Sequence, residues 1–309
     1  MYEKIVENIK KNKNILLLTH KNPDVDAVGS VYALARFIKK KFNNNIKIIF
    51  DDYSERNNII KKFDSEDLDL NQIKLVIVLD CGDKKRLGSL EEIVETKFII
   101  NIDHHISNSN FGNLNIVIDV SSTCEIIFEF INKIDKSCLD NDIASCLYAG
   151  IICDTGGMRF SNTTARTHKI ISKLLKFDFN FSEIYNKLLI LLSIEEINLL
   201  KIALNNFKII NSLAICCLNR DSLRDIKNKS SSLLVNFLKN ICGIEIAVVI
   251  MEIEEDMCKV SFRSNNFDVC KTAKKFGGGG HKLASGCLIK DNLSNTQKKI
   301  LECFKDLDF

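Results

Sequence analysis

Four apolar stretches of this 309-residue chain run directly into an acid or a histidine. Ile15 to Leu18 leads through Thr19 to His20, with Asp24 and Asp26 close behind. Leu75 to Leu79 ends at Asp80, Phe98 to Ile102 at Asp103-His104-His105, and the run from Asn141 to Cys153 at Asp154. A carboxylate at the end of a buried element costs several kcal/mol unless it is paired or binds a cation. One such case is ordinary; four suggest convergence on one cluster. His20, Asp24, Asp26, Asp80, His104 and Asp154 are more ligands than one ion readily uses. They suit two divalent cations roughly 3.5–4 Å apart that share a carboxylate and clamp both sides of an in-line displacement, with Asp80 the natural bridge. Carboxylates outnumber imidazoles and no thiolate is needed, which favours Mn²⁺ or Mg²⁺ over zinc. Cys81 is adjacent, but its side chain points away from that of Asp80 if the strand continues so far. The first segment also has a plainer reading, as a turn and a helix with Asp26 as N-cap.

The elements that must position these side chains read as α/β. Ile15–Leu18, Ile46–Phe50, Leu75–Leu79, Phe98–Ile102 and Ile116–Ile118 are strand-like apolar runs, and helical patterns alternate with them. Continuous apolar strands between helices suggest a parallel sheet covered on both faces. Such a sheet forms its sites at the carboxyl ends of its strands. The single proline, Pro23, restricts the loop after the first strand and holds His20, Asp24 and Asp26 together there. Helices are expected at Tyr2–Lys11, Ser122–Ile134, Asn141–Cys153 and Thr164–Lys176, the last capped by Thr163 or Thr164. Phe181 to Phe207 reads as helical with no strand signal. The pattern then resets into a smaller mixed α/β set, with strands at Leu213–Leu218, Ile244–Ile253, Lys259–Arg263 and Leu288–Lys290 and helices at Ser231–Asn240, Val269–Phe276 and Ser294–Phe304. The expected organisation is a parallel-sheet catalytic domain over residues 1–185, a helical linker over 186–207 and a second domain over 208–309.

Composition narrows the function. The net charge is +3, from 43 Lys and Arg against 40 Asp and Glu, too balanced for a protein that tracks long nucleic acid. Phosphate chemistry here is expected on small or short substrates. The 12 cysteines include no CxxC pair, and those at Cys124, Cys146, Cys153 and Cys242 sit in apolar patterns, so buried reduced thiols are expected. The charged start MYEKIVENIKKNKN and the lack of any long apolar run suggest a soluble, cytoplasmic protein with no membrane partner.

The runs HKNPDVDAVGS, VLDCGD, NIDHH and GIICDTG resemble, in order, the four motifs of the DHH phosphoesterase superfamily. FGGGGH, from Phe276 to His281, and VSFRS, from Val260 to Ser264, resemble its associated C-terminal domain. Each motif alone is weak; the four and FGGGGH, five in order over nearly the whole chain, are specific. A two-domain chain of this length is similar to the stand-alone oligoribonucleases that also dephosphorylate 3′-phosphoadenosine 5′-phosphate. The resemblance implies one ion held by His20, Asp24 and Asp80, and a second held by Asp26, Asp80, His104 and Asp154. It implies that Asp103 orients the histidines and that His105 is no ligand but a donor to the phosphoryl or leaving oxygen. Arg263, Ser264, Gly278, Gly279, Gly280 and His281 are expected to hold substrate as the second domain closes over the site. The implied reaction releases nucleoside 5′-monophosphates from short single-stranded RNA or DNA, and a homodimer is compatible with it.

The remaining candidates have two readings each. Arg159 reads equally as a phosphate contact and as a surface arginine. Asp83 is a supporting carboxylate or a turn residue. His168 reads as a surface or packing histidine. Gly277 to Gly280 is a flexible loop or backbone lying close to an anion. A cyclic-dinucleotide or pApA phosphodiesterase keeps the chemistry and changes the substrate. A non-catalytic nucleotide-binding regulator would be expected to lack a ligand, and none is missing.

Overall fold

The computed structural model describes residues 2–227 and 229–305. They fall into two units, one ending at Leu191 and the other beginning at Leu192. Among the described residues no helix is long and apolar enough to cross a membrane.

The first unit contains α1 (Tyr2–Lys11), β1 (Asn14–Leu18), α2 (Val25–Phe42), β2 (Asn45–Ile48), β3 (Leu75–Leu79), β4 (Phe98–Asp103), β5 (Leu114–Val117), α3 (Thr123–Asp135), α4 (Asn141–Asp154), α5 (Ala165–Leu174) and α6 (Phe181–Tyr185). Its strands form a parallel sheet in the order β2-β1-β3-β4-β5. The continuous apolar runs follow from burial on both faces. Ile15, Leu17, Ile77 and Ile100 pack with α2, α3 and α4, while Leu16, Leu18, Val76 and Val78 pack with Leu87, Leu90 and Val94 from short turns on the other side. Since β1, β3 and β4 are neighbours and parallel, the residues that follow them emerge at one edge.

Two helices complete that edge. Helix α2 begins beside it and is buried from Val25 to Ala35. Its N-cap is Asp24, whose Oδ1 accepts from Ala27 N at 3.0 Å, so the cap falls two residues before the Asp26 expected in the plainer reading. Helix α4 ends there at Asp154. Gly150 lets α4 approach: a Cβ at this position would lie 2.4 Å from Cys124 Sγ and 2.6 Å from Asp26 Oδ1.

The second unit contains α7 (Ile194–Asn206), β6 (Phe207–Ile210), β7 (Leu213–Leu218), α8 (Ser231–Lys239), β8 (Ile246–Glu254), β9 (Met257–Ser264), α9 (Val269–Lys275), β10 (Gly279–His281), β11 (Ala284–Ile289) and α10 (Leu293–Glu302). Its sheet runs β10-β11-β9-β8-β7-β6 and is antiparallel except between β7 and β8. Ala214, Cys216 and Val249 face a core with α7 and α8; Ile215, Val248 and Phe262 face one with α9 and α10.

Several local expectations differ. The 186–207 stretch is not one helix: residues 186–190 form a π-turn in the first unit, while α7, capped by Ser193, packs in the second. Strand β6 begins at Phe207, where no strand was expected; three of its four residues are exposed, so burial left no pattern in its sequence. Part of the glycine run is strand β10, paired with β11. All twelve cysteines are free, but Cys242 is exposed rather than on an apolar face.

Candidate metal centre

The centre starts with two histidines whose tautomers are set by backbone. His20 is 5% exposed, and its Nδ1 lies 2.8 Å from Lys21 O. That contact assigns the proton to Nδ1 and leaves Nε2 facing Asp80 Oδ2 at 3.7 Å. His104 repeats the arrangement, with Nδ1 3.2 Å from Val120 O. Its Nε2 lies 3.4 Å from Asp80 Oδ1 and 3.3 Å from Asp154 Oδ2. An imidazole lone pair aimed at carboxylate oxygens is repulsive until a proton or a cation stands between them. Backbone-held Nδ1–H groups with Nε2 turned inward are also how metal-binding histidines are usually oriented.

The carboxylates carry the same signal. Asp80 follows β3 with a φ of +55°, which turns it out of the strand. It is 2% exposed, and its Oδ1 accepts from Thr123 Oγ1 at 2.9 Å. Asp26 is fully buried against the N-terminus of α3, where Thr123 N donates to Oδ2 at 2.7 Å and Cys124 N to Oδ1 at 3.0 Å. Ser122 caps that helix, whose positive end favours an anion. Burial first, and then the neighbouring carboxylates, push Asp26, Asp80 and Asp154 above the ordinary aspartate range. Mutual repulsion of this kind is what a divalent cation removes, and an oxygen-rich donor set with two imidazoles fits a hard or borderline ion.

Ligand atoms of His20, Asp24 and Asp80 lie within 4.8 Å of one another, as do those of Asp26, His104 and Asp154. All six expected ligands are thus brought together, in two sets linked through Asp80 and His104. A third set joins Asp80, His104 and His105. His105 Nδ1 lies 2.7 Å from Asp103 Oδ1 and 3.8 Å from Asp80 Oδ1. The Asp103 bond is the main reason the His105 imidazole is held above its ordinary pKa. Burial pushes Asp103 upward, but bonds from His105 and Asn108 outweigh it and leave its carboxyl below the usual range. Cys81 stays out of the centre: it is buried in the opposite core, and its Sγ donates to Asp83 O at 3.2 Å.

Three supporting residues were not singled out from sequence. Thr123 contacts both Asp80 and Asp26. Asn108 donates to Asp103 Oδ2 at 2.6 Å and to Asn101 Oδ1 at 2.8 Å. Asn162 donates to Ser121 O at 3.1 Å and Asp154 O at 3.0 Å, tying the turn after α4 to the start of α3. The spacing of Ser122 and Glu125 is a helix-start signal that could have flagged Thr123; the two asparagines left none. Arg159 is exposed on the turn after Asp154, and His168 is exposed on α5. Asp83 is a turn residue, with Oδ1 accepting from Lys85 N at 2.8 Å.

In the second unit, cross-strand register puts His281 opposite Ala284 and Ala284 opposite Arg263. Arg263 and His281 therefore share one row and one face across three strands. Arg263 is partly buried, donating from Nε to Asn236 Oδ1 at 3.1 Å and from a guanidinium nitrogen to Phe262 O at 2.9 Å. Burial lowers its pKa. Ser264 is 3% exposed and its hydroxyl donates to Phe267 O. Gly278 packs on β11, with a Cβ there 2.2 Å from Gly286 O; Gly279 and Gly280 belong to β10.

A parallel α/β sheet with a carboxylate and imidazole centre at its carboxyl edge, followed by a mixed-sheet unit, is the architecture of a phosphoesterase of the DHH class. Residues 14–151 match the DHH family N-terminal domain and residues 212–306 the DHHA1 domain, and the chain belongs to the DHH phosphoesterase family. It is 31% identical over 300 residues to the bifunctional oligoribonuclease and PAP phosphatase NrnA of Bacillus subtilis, covering 94% of this chain and 93% of that protein. An exopolyphosphatase-related protein from Bacteroides fragilis shares the fold with a TM-score of 0.90 at 24% identity, over 98% of this chain and 95% of that one. Exonuclease RecJ, solved bound to manganese, shares it with a TM-score of 0.55 at 9% identity, over 99% and 94%.

Proposed function

We propose that this chain is a phosphodiesterase dependent on two divalent cations, Mn²⁺ in preference to Mg²⁺, that cuts very short oligonucleotides to nucleoside 5′-monophosphates and dephosphorylates 3′-phosphoadenosine 5′-phosphate. The observation that carries this reading is the meeting of His20, Asp24, Asp26, Asp80, His104 and Asp154 in two adjacent ligand sets. Near full-length similarity to an oligoribonuclease and PAP phosphatase supports the substrate class. His20, Asp24 and Asp80 would hold one ion, and Asp26, Asp80, His104 and Asp154 the other. Bound there, the ions would supply Lewis-acid stabilisation of charge on the phosphoryl oxygens.

The chain's own residues account for the rest. Asp103, steadied by Asn108, sets the His105 ring so that it can donate to the phosphoryl or leaving oxygen. Thr123 and the start of α3 hold Asp80 and Asp26 in place before substrate arrives. Arg263 and His281 grip the nucleotide; Ser264, with its hydroxyl on Phe267 O, braces that row. Arg159 and Gly278 to Gly280 complete the substrate contacts. The near-neutral charge of +3 fits few phosphate contacts and hence short substrates.

Hydrolysis of RNAs from two to about twenty nucleotides in Mn²⁺ tests this, a range that brackets one to several binding-site lengths. The shortest substrates are expected to turn over fastest. Equal or faster turnover of long strands would contradict the reading, and a cyclic dinucleotide cut faster than linear pApA would transfer it to the cyclic-dinucleotide class.

A further inference from the structure

The turn over residues 83–89 carries a cation that the reaction above does not use. Arg86 N donates to Asp83 O at 3.0 Å, and Arg86 O accepts from Lys21 N at 2.7 Å. Residue 86 is thus bonded directly to the neighbour of His20. Farther on, Ser89 N donates to Asp51 Oδ2 at 2.9 Å. Gly88 has a φ of +63°, and a Cβ there would lie 2.3 Å from Asp51 Oδ2 and 3.0 Å from the Lys21 side chain. The turn is therefore clamped onto the loop that presents His20 and Asp24, and its position is set by backbone.

The side chain is not consumed in that clamp. Arg86 is exposed, and among the described residues its guanidinium has no hydrogen bond or ion pair. Two nearby cations are paired: Lys21 Nζ lies 3.1 Å from Asp52, and Lys84 Nζ lies 3.9 Å from Glu95. The acids around it are committed, Asp83 to Lys85 N and Asp103 to His105 and Asn108. Residue 86 nonetheless lies beside the centre, since its carbonyl is bonded to the residue that follows His20. A guanidinium is a planar fork suited to carboxylate or phosphate. Here the backbone that carries it is held beside a phosphoesterase centre, and among the described residues the guanidinium is paired with no carboxylate.

The scissile phosphate has the two ligand sets and His105. A terminal phosphate carries a charge of about −1.5 to −2 at neutral pH and needs its own donor. We propose that Arg86 binds a second, non-scissile phosphate at the end of the substrate and so acts as a specificity-determining residue for that class. The inference rests on the phosphoesterase reading and names the group that reading leaves unmatched.

The test compares pApA with ApA, which lacks the terminal phosphate, on wild type, Arg86→Ala and Arg86→Lys in Mn²⁺. Among the described residues the exposed side chain makes no hydrogen bond or ion pair, and the backbone bonds that hold the turn survive both substitutions. Arg86→Ala is expected to raise KM for pApA about 10- to 100-fold, the range of one charge-assisted bond, while kcat holds. ApA should be unaffected, and Arg86→Lys should fall between. Equal losses on both substrates, or none on pApA, would overturn the proposal. If wild type cuts neither, the phosphoesterase reading fails, and calorimetric binding of pApA and ApA with Ca²⁺ decides this inference separately. A pApA preference that Arg86→Ala erases upholds it, and a preference that persists or never existed overturns it.

Discussion

The two units solve the placement of polar groups in opposite ways. In the first, parallel strands deliver Asp80 and the 103–105 run to one edge beside His20, and the start of α2 and end of α4 meet them there. Asp26, Asp80 and Asp103 are buried there and bonded from behind by Thr123, Cys124 and Asn108, and the carboxylates around Asp26 and Asp80 repel one another. In the second, antiparallel strands spread their ends over both edges, and Arg263 and His281 meet only through cross-strand register. The contrast suggests a division of labour: a strained, pre-set centre for chemistry and a looser row for binding. Substitutions in the first unit should act on kcat and cation binding, and those in the second on KM.

The largest effect is expected from Asp80→Ala. Asp80 links the two ligand sets, so its loss should abolish turnover even in saturating Mn²⁺. Substantial residual activity would show that Asp80 is not shared. Next comes His105→Ala, expected to lower kcat by about 10²–10⁴, the usual range for acid–base assistance, with cation content retained. Loss of an ion from the purified variant would make His105 a ligand, as its place beside Asp80 and His104 allows.

Arg263→Ala sharpens the comparison from the other side. KM for a dinucleotide should rise about 10- to 150-fold with kcat much less affected, the signature of lost uniform binding. A small chromogenic phosphodiester without nucleobases should be cut as before. If it suffers equally, the second unit does more than bind. The smallest effect is expected from Thr123→Val, which removes one donor from Asp80. Mn²⁺ affinity, read by calorimetry, should weaken about 2- to 10-fold, the low end of what one hydrogen bond contributes. An unchanged affinity would mean that Asp80 does not need this support.

The same topological contrast explains what could be read from the chain beforehand. Strands β1, β3 and β4 are covered on both faces, so they stand out as unbroken apolar runs, and the residue that follows each is marked by its sudden polarity. Strand β6 is mostly exposed and β10 is mostly glycine, so neither carries a burial period or a strand-forming composition. Asp24 rather than Asp26 caps α2 because Asp26 is drawn instead to the N-terminus of α3, a contact 97 residues away in the chain. Asn108 and Asn162 act through single bonds to backbone or side chains that local patterns do not reveal. The polar residues that gather at this edge were legible; the bonds that hold them were not.

The central claim is that the first unit alone holds two cations on these six side chains. Titration of the full metal-free chain with Mn²⁺, following free ion by electron paramagnetic resonance, tests it most directly. The account predicts two ions per chain for wild type and for Arg263→Ala, and a loss of both high-affinity ions in Asp80→Ala. A single ion in wild type, or two retained without Asp80, would contradict it.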